Sequence, residues 1–101
     1  MAKLASPTLN RHEVIGLCIR HCVPVQSAEG ILNYFLHRIE PGGFLYAVLC
    51  NDLKAACLAA DETNRHHIYD YICLLHAEAP ADRYGSVSRV EAWLSGEEVE
   101  S

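Results

Sequence analysis

Residues that start helices recur at short intervals along this chain, and each stands before an apolar run. Asn, Asp and Ser side chains accept hydrogen bonds from the first free backbone N–H groups of a helix, so they mark helix N-termini. The apolar residues that follow lie at helical spacing, and no segment alternates polar and apolar side chains as a strand does. This pattern predicts an all-α fold, a compact bundle of five or six short helices. The starting residues are Asn10, Ser27, Asn51 or Asp52, Asp61 and Ser86.

The first two predicted helices have clear start signals and broad apolar faces. Asn10 and Glu13 have the spacing of a capping box. We expect the apolar stripe of this helix to face the core. That stripe is Val14, Cys18 and Cys22, flanked by Ile15 and Ile19. Ser27 is predicted to cap the second helix, which Glu40-Pro41-Gly42-Gly43 ends. Its apolar face is Ile31, Leu32, Phe35, Leu36 and Ile39.

Two shorter helices are predicted in the middle of the chain. The apolar run 44–50 is short enough for a buried strand, but its i,i+4 apolar pairs and the lack of a partner strand favour a helix. Asn51 or Asp52 then caps a helix over 53–60. Its four alanines are predicted to let another helix approach closely. They are Ala55, Ala56, Ala59 and Ala60.

The last two predicted helices complete the bundle. Asp61 is expected to open the longest helix, which runs to about Ala79 because Pro80 prevents continuation. Its inward side is predicted to be Ile68, Ile72 and Leu75. Ser86 caps the final helix and Gly96 ends it. Val87, Val90 and Leu94 are expected to point inward, with Trp93 beside them.

Composition limits the class of protein. The chain has 101 residues, a formal net charge of −5 and five cysteines. This length fits one helical domain over 1–101, with frayed ends expected at 1–8 and 97–101. The acidic excess argues against binding to duplex nucleic acid, which needs clustered Lys and Arg. No apolar run approaches the roughly 20 residues of a membrane span, so we expect no membrane contact and a location in the cytoplasm, with reduced cysteines.

Catalytic and metal sites find little support in the sequence. Cys18, His21 and Cys22 form one cluster with no second ligand pair, so the sequence favours core packing over zinc. Ser86 has no histidine at a fixed spacing, and no cysteine lies in an activating motif. We therefore predict a protein that is not an enzyme and that has no metal and no cofactor.

One set of residues is a candidate ligand site. Gly42-Gly43 before a helix start is either an anion cradle or a turn that uses the positive φ available to glycine. Arg65 and His66 have the chemistry to bind phosphate, although they are also typical of a solvated helix face. In the ligand interpretation, Tyr69 or Tyr84 stacks on a base, while Asn51 and Asn64 orient the ligand.

Four segments between about residues 39 and 95 carry a resemblance, and they are PGGFLYAVLCNDL, ADETN, EAP and GSVSRVEAWL. Over this part the chain resembles a family of small proteins encoded by tailed phages and prophages, so the expected cytoplasm is that of the host cell. The chain departs from the family at Tyr84 and Val87, where members have Trp and Pro. The resemblance implies a phage accessory protein and assigns no activity. The matching positions are Gly42, Asn51, Asp52, Asp61, Asn64 and Trp93.

These observations predict a counter-defence protein that works by binding. The leading hypothesis is a homo-oligomer that sequesters a small anionic, nucleotide-type signal. The alternative is a protein–protein inhibitor, similar to an anti-CRISPR protein, whose acidic surface covers a host defence protein. Carboxylates for such a surface are Glu62, Asp70, Glu97 and Glu98.

Overall fold

The computed structural model describes residues 2–96, and these residues form a bundle of six α-helices with no strand. The all-α prediction is therefore confirmed. The helices are α1 (Arg11–His21), α2 (Ala28–His37), α3 (Gly43–Leu49), α4 (Leu53–Ala59), α5 (Ile68–Glu78) and α6 (Val87–Leu94). Single 3₁₀ turns cover Lys3–Ala5, Val25–Ser27, Asn64–His66 and Ala81–Arg83. Within the described part of the chain, no helix has the length and apolar character needed to span a bilayer.

The helix starts follow the capping chemistry of the sequence at three positions. The Asn10 side chain accepts a hydrogen bond from the Glu13 amide at 3.0 Å, and Ser86 accepts from the Arg89 amide at 3.2 Å. Asp52, the second of the two candidates at that boundary, accepts from the Ala55 amide at 3.1 Å. Each cap satisfies a backbone donor that the helix itself leaves free.

Three helices end on a residue with left-handed backbone geometry. Cys22, Arg38 and Asn51 have φ values of 62°, 56° and 61°. After Asn51, the Asp52 amide donates back to the Ala47 carbonyl at 2.9 Å, which closes the C-terminus of α3. Asn51 therefore ends α3 and does not cap α4. The prediction that Cys22 packs in the core is wrong, because this residue has already left the helix and its side chain is exposed.

The predicted start and face of α2 need two corrections. Ser27 makes no capping hydrogen bond, because a 3₁₀ turn leads into the helix and the Ser27 hydroxyl instead contacts the Tyr71 hydroxyl. Ile39 is half exposed because α2 ends at His37, two residues earlier.

The long helix predicted from Asp61 is divided. Asp61 caps only the 3₁₀ turn Asn64–His66, by accepting a hydrogen bond from the Asn64 amide at 2.6 Å. His67, with φ −125° and ψ 10°, interrupts the helical backbone before α5 begins. The buried side of α5 is then Tyr71, Leu74, Leu75 and Glu78, so the prediction of Ile72 as an inward residue is wrong.

The buried residues of α4 and α6 also differ from the predicted ones. On α4 only Ala56 is buried, and Ala59 is exposed. Val87 is exposed at the first position of α6, while Val90 and Trp93 are buried and Gly96 follows the helix with a φ of 83°.

The N-terminal segment belongs to the core. The prediction of fraying at 1–8 is wrong for the described residues 2–8, because Leu4 is 1% exposed in the same apolar cluster as Val14 and Ile31. The predicted fraying at 97–101 lies outside the described residues.

We predict that Asn51 acts through its backbone conformation. Asn51→Gly should leave the free energy of unfolding unchanged or slightly raised, because glycine adopts positive φ without strain. Asn51→Ala should lower it by about 1 kcal/mol. Urea unfolding of both variants measures the difference. Equal destabilisation by glycine and alanine would contradict the backbone role and indicate that the amide side chain itself is needed.

Candidate functional site

A cleft of about 320 Å³ opens where α2 and α3 begin and where the chain passes from α4 to α5. Phe44 and Leu45 form part of its apolar wall. It reaches the lower end of the size range of small-molecule sites. Its other walls include Gln26, Ser27, Gly42, Gly43, Asp61 and Asn64.

Gly42 and Gly43 leave this cleft open. Gly42 has φ −62°, and neither glycine has positive φ, so the turn does not require glycine. A Cβ atom at either position would contact nothing within 4 Å. Packing does not require glycine there either. Both glycines line the cleft, and because they have no side chains they leave its space unfilled.

The hydroxyl of Tyr71 links two walls of the cleft. Tyr71 donates a hydrogen bond to Asn64 Oδ1 at 2.8 Å, and because its single proton is used there, the Ser27 hydroxyl is the donor to Tyr71. The Phe44 ring packs edge-on against Tyr71, with centroids 5.2 Å apart. Burial raises the pKa of Tyr71, because ionisation would place a charge in the core. The Ser27 and Asn64 side chains are thus held in place by a buried neutral phenol.

The charge of the cleft does not favour an anion. Asp61 is the one charged residue among the described residues that line the cleft. Its carboxylate accepts a hydrogen bond from the backbone N–H of Asn64. The helix that begins at Gly43 has only seven residues, so it offers a weak dipole. The lining suits a neutral or cationic polar group that hydrogen-bonds to side-chain amides and a carboxylate.

Arg65, His66 and Tyr69 lie outside the cleft. Arg65 and His66 are exposed, and Arg65 Nε donates to His66 Nε2 across a long 3.5 Å contact. Tyr69 is 78% exposed. The structure therefore places Asn64 in the cleft, while its neighbours in sequence face solvent.

Asn51 and Tyr84 lie in two further places. Asn51 lines a different groove, described below, and Tyr84 packs partly buried against the core near the start of α6. The amide of Gly85, next to Tyr84, donates to the Leu49 carbonyl at 2.7 Å, which ties this loop to the end of α3. The candidate ligand residues are thus divided among separate surfaces of one chain.

A second groove, of about 220 Å³, lies between α3, α4 and α5 and is largely apolar. Its apolar walls are Val48, Leu53, Ala56, Ile68 and Ile72. Local apolar spacing does not predict this groove, because that spacing places Ile72 in the core and the alanines of α4 at a helix contact. The signal in the sequence is Leu53, a large apolar residue at the start of a short helix in which only the small Ala56 is buried.

The described residues contain no group of three or more His, Cys, Asp or Glu side chains arranged to hold a metal ion. One carboxylate is nevertheless buried. Glu78 is 6% exposed and lies 3.0 Å from His21 Nε2, so it ties α5 to the end of α1. This pair accounts for the polar group in the core without invoking a reaction.

None of the protein-family models, curated proteins or solved structures compared with this chain matches it.

We predict that the Tyr71 hydroxyl is a structural link in the cleft wall. Tyr71→Phe should lower the free energy of unfolding by about 1–2 kcal/mol, because Ser27 and Asn64 lose a buried partner. Tyr69→Phe is the matched control on the same helix, and its effect should stay within about 0.5 kcal/mol because that side chain is exposed. Thermal or urea unfolding gives both values. If Tyr71→Phe left the free energy of unfolding unchanged, the link would add nothing to stability.

Proposed function

We propose that this protein is a non-enzymatic, phage-encoded binding protein that covers a surface of another protein, and that it counters a bacterial defence system in this way. The contact surface in this proposal is the second groove together with its apolar walls from α4 and α5, which are Leu53, Ala56, Ile68 and Ile72, and it is called the face of α4 and α5 below. The exposure of this face is the single observation on which the proposal rests.

Two apolar side chains on the wall of this groove are exposed. Leu53 is 66% exposed and Ile72 is 43% exposed, and the same two helices carry the exposed Leu58 and Tyr69, which do not line the groove. The exposed side of α4 also carries Cys57, and Lys54 is the one charged residue of that helix. Scattered apolar residues are normal on a protein surface, but exposed leucine and isoleucine side chains on the wall of an apolar groove are typical of a protein-binding site.

The charges around this face indicate which partner fits. Between Asn51 and Ile72 the chain has four carboxylate residues but two Lys or Arg residues. Asp52, Asp61 and Glu62 are exposed beside the ends of α4. An apolar centre with an acidic rim complements a partner that presents apolar side chains flanked by Lys or Arg. A symmetric pair of this chain would instead bring two acidic rims together.

The groove suits an amphipathic helix of the partner. Helical ligands commonly place apolar side chains at i, i+3, i+4 and i+7 into such grooves. We therefore expect a basic amphipathic segment of a host defence protein to bind here, with attraction that weakens as salt screens the rim charges.

We predict that two amphipathic helical peptides with identical leucine positions will separate the contribution of the acidic rim from that of the apolar groove. The peptide with Lys at its rim should bind at least tenfold more tightly than the peptide with Glu, because the protein's rim is acidic. Leu53→Ser combined with Ile72→Ser should weaken binding of the Lys peptide at least tenfold, since these residues form the groove wall. Fluorescence anisotropy of labelled peptides measures each dissociation constant.

The matched control is Val87→Ser, which removes an exposed apolar side chain from α6 and should leave peptide binding unchanged. A partner captured from host lysate is then purified, and the same variants are tested against it. Equal binding of the two peptides, or no effect of the groove variants, would reject the proposal. A concentration-dependent dimer that the groove variants dissolve would assign this face to self-association instead.

The cleft favours a second candidate function, the sequestration of a small nucleotide-type ligand. Gln26, Asn64 and Asp61 supply amide and carboxylate groups of the kind that recognise base edges, and the glycines leave the cleft open. The phosphate in this arrangement has to lie outside the acidic cleft, beside Arg65 and His66. A homo-oligomer, in which a second copy adds cations to the cleft, fits the same candidate.

We predict for this candidate that calorimetry against linear and cyclic nucleotides detects saturable binding below about 10 µM. Gly43→Leu, which places a side chain at the cleft, should abolish that binding, whereas Gly16→Ala on α1 is the control because it also has open space around it. Absence of heat with every nucleotide would exclude this candidate and leave the protein-binding proposal untouched.

A further inference from the structure

Two arginines sandwich the side chain of Trp93. The guanidinium carbons of Arg38 and Arg83 lie 3.8 Å and 3.9 Å from the centre of the Trp93 ring. Two guanidinium groups cannot occupy the same space over one face, so they lie on opposite faces. Their carbons are therefore less than about 8 Å apart.

The sandwich is held by hydrogen bonds from three segments of the chain. Trp93 Nε1 donates to the Tyr34 carbonyl at 2.6 Å, and the Tyr34 hydroxyl donates to the Arg83 carbonyl at 2.5 Å. Arg38 donates from one terminal nitrogen to the Trp93 carbonyl at 3.2 Å. Tyr34 is fully buried, so its two bonds fix the indole ring and the Arg83 backbone against the core, while the third bond ties the Arg38 side chain to the Trp93 backbone.

Both guanidinium groups lack a carboxylate partner among residues 2–96. No Asp or Glu oxygen in that part of the chain lies within 4.0 Å of either one, although acidic residues outnumber basic ones in the chain. Both arginines are partly buried. Burial lowers the pKa of Arg83 and the Arg38 charge lowers it further, while Asp82 acts in the opposite direction. Two like charges in a partly desolvated position are unfavourable until an anion joins them.

Most N–H donors of the two guanidinium groups have no partner among residues 2–96. A guanidinium that lies flat on an aromatic ring keeps its N–H groups pointing outward in its own plane, where they bind phosphate or carboxylate. Arg38 uses one nitrogen on the Trp93 carbonyl, and the Arg83 side chain makes no hydrogen bond to any described residue. The remaining donors have no hydrogen-bond partner among residues 2–96, and they belong to two cations on opposite faces of one ring.

We propose that Arg38 and Arg83, held on either face of Trp93, form a binding site for a phosphate or diphosphate group of a small molecule. A tetrahedral phosphate or a short diphosphate spans the distance between the two guanidinium groups and accepts hydrogen bonds from both. The site is separate from the face of α4 and α5 and does not depend on the function proposed above.

Trp93 is the only tryptophan in the chain, so its fluorescence reports directly on this site. The probes are inorganic phosphate and pyrophosphate, titrated at constant ionic strength against sodium chloride. We expect a saturable change in Trp93 emission with pyrophosphate, tighter binding of pyrophosphate than of phosphate, and no saturable change with chloride. Calorimetry under the same conditions gives an independent dissociation constant.

Variants at the two arginines test the assignment. Arg38→Gln and Arg83→Gln should each weaken pyrophosphate binding at least tenfold, since each removes charge-assisted hydrogen bonds. Arg83→Lys keeps the positive charge and can replace Arg83→Gln in the test if the glutamine variant folds poorly. We expect Arg83→Lys to bind pyrophosphate more weakly than the wild type but more tightly than Arg83→Gln. Arg11→Gln on α1 is the control for net charge, and circular dichroism checks each fold.

Loss of affinity at positions 38 and 83 with normal affinity in Arg11→Gln would support the site. Absence of saturable binding up to tens of millimolar, or equal weakening by Arg11→Gln, would overturn it.

Discussion

Short helices impose the main constraint on this molecule. The six α-helices contain seven to eleven residues, and helices of that length are marginal alone in water because nucleation costs more than a few hydrogen bonds return. Their stability therefore has to come from packing. The buried cluster extends from Leu4 in the first turn of the chain to Trp93 in the last helix, so all parts of the described chain depend on one core.

Two buried tyrosines join this core to the candidate binding surfaces. Tyr71 packs against Phe44 and holds Ser27 and Asn64 at the cleft. The Tyr34 hydroxyl donates to the Arg83 carbonyl, and the Tyr34 carbonyl accepts from the Trp93 indole. In each case an aromatic ring supplies buried area and its hydroxyl satisfies polar groups that would otherwise be buried without a partner. The same interactions that stabilise the bundle therefore also position the polar walls of its surfaces.

The surfaces differ in the chemistry that they present. The face of α4 and α5 is apolar with an acidic rim, and the Gly42–Gly43 cleft is polar with one carboxylate. The two faces of Trp93 carry guanidinium groups that have no carboxylate partner among residues 2–96. A protein partner, a neutral base and a phosphate are the respective ligands that match these properties. No residue that lines the groove also lines the cleft, so the Leu53, Ile72 and Gly43 variants each change one of these two surfaces.

The fold class and most helix starts can be predicted from the sequence, because they depend on side chains within four residues of each other. Asn10, Asp52 and Ser86 cap the helices that follow them, and such local hydrogen bonds are readable from spacing. Local spacing also identified much of the apolar core. Predictions failed where a distant group competed, as at Ser27, whose hydroxyl bonds to Tyr71 across 44 positions of the chain.

Packing between distant parts of the chain selects which apolar residues remain exposed and which polar residues share a surface. Leu53 and Ile72 have the same side-chain chemistry as core residues, and their exposure follows from the way α4 and α5 dock on α3. Asn64 and Arg65 are adjacent in sequence, yet one lines a cleft and the other faces solvent. The arginine pair around Trp93 joins residues 38, 83 and 93, and long-range packing, which no local pattern encodes, brings them together.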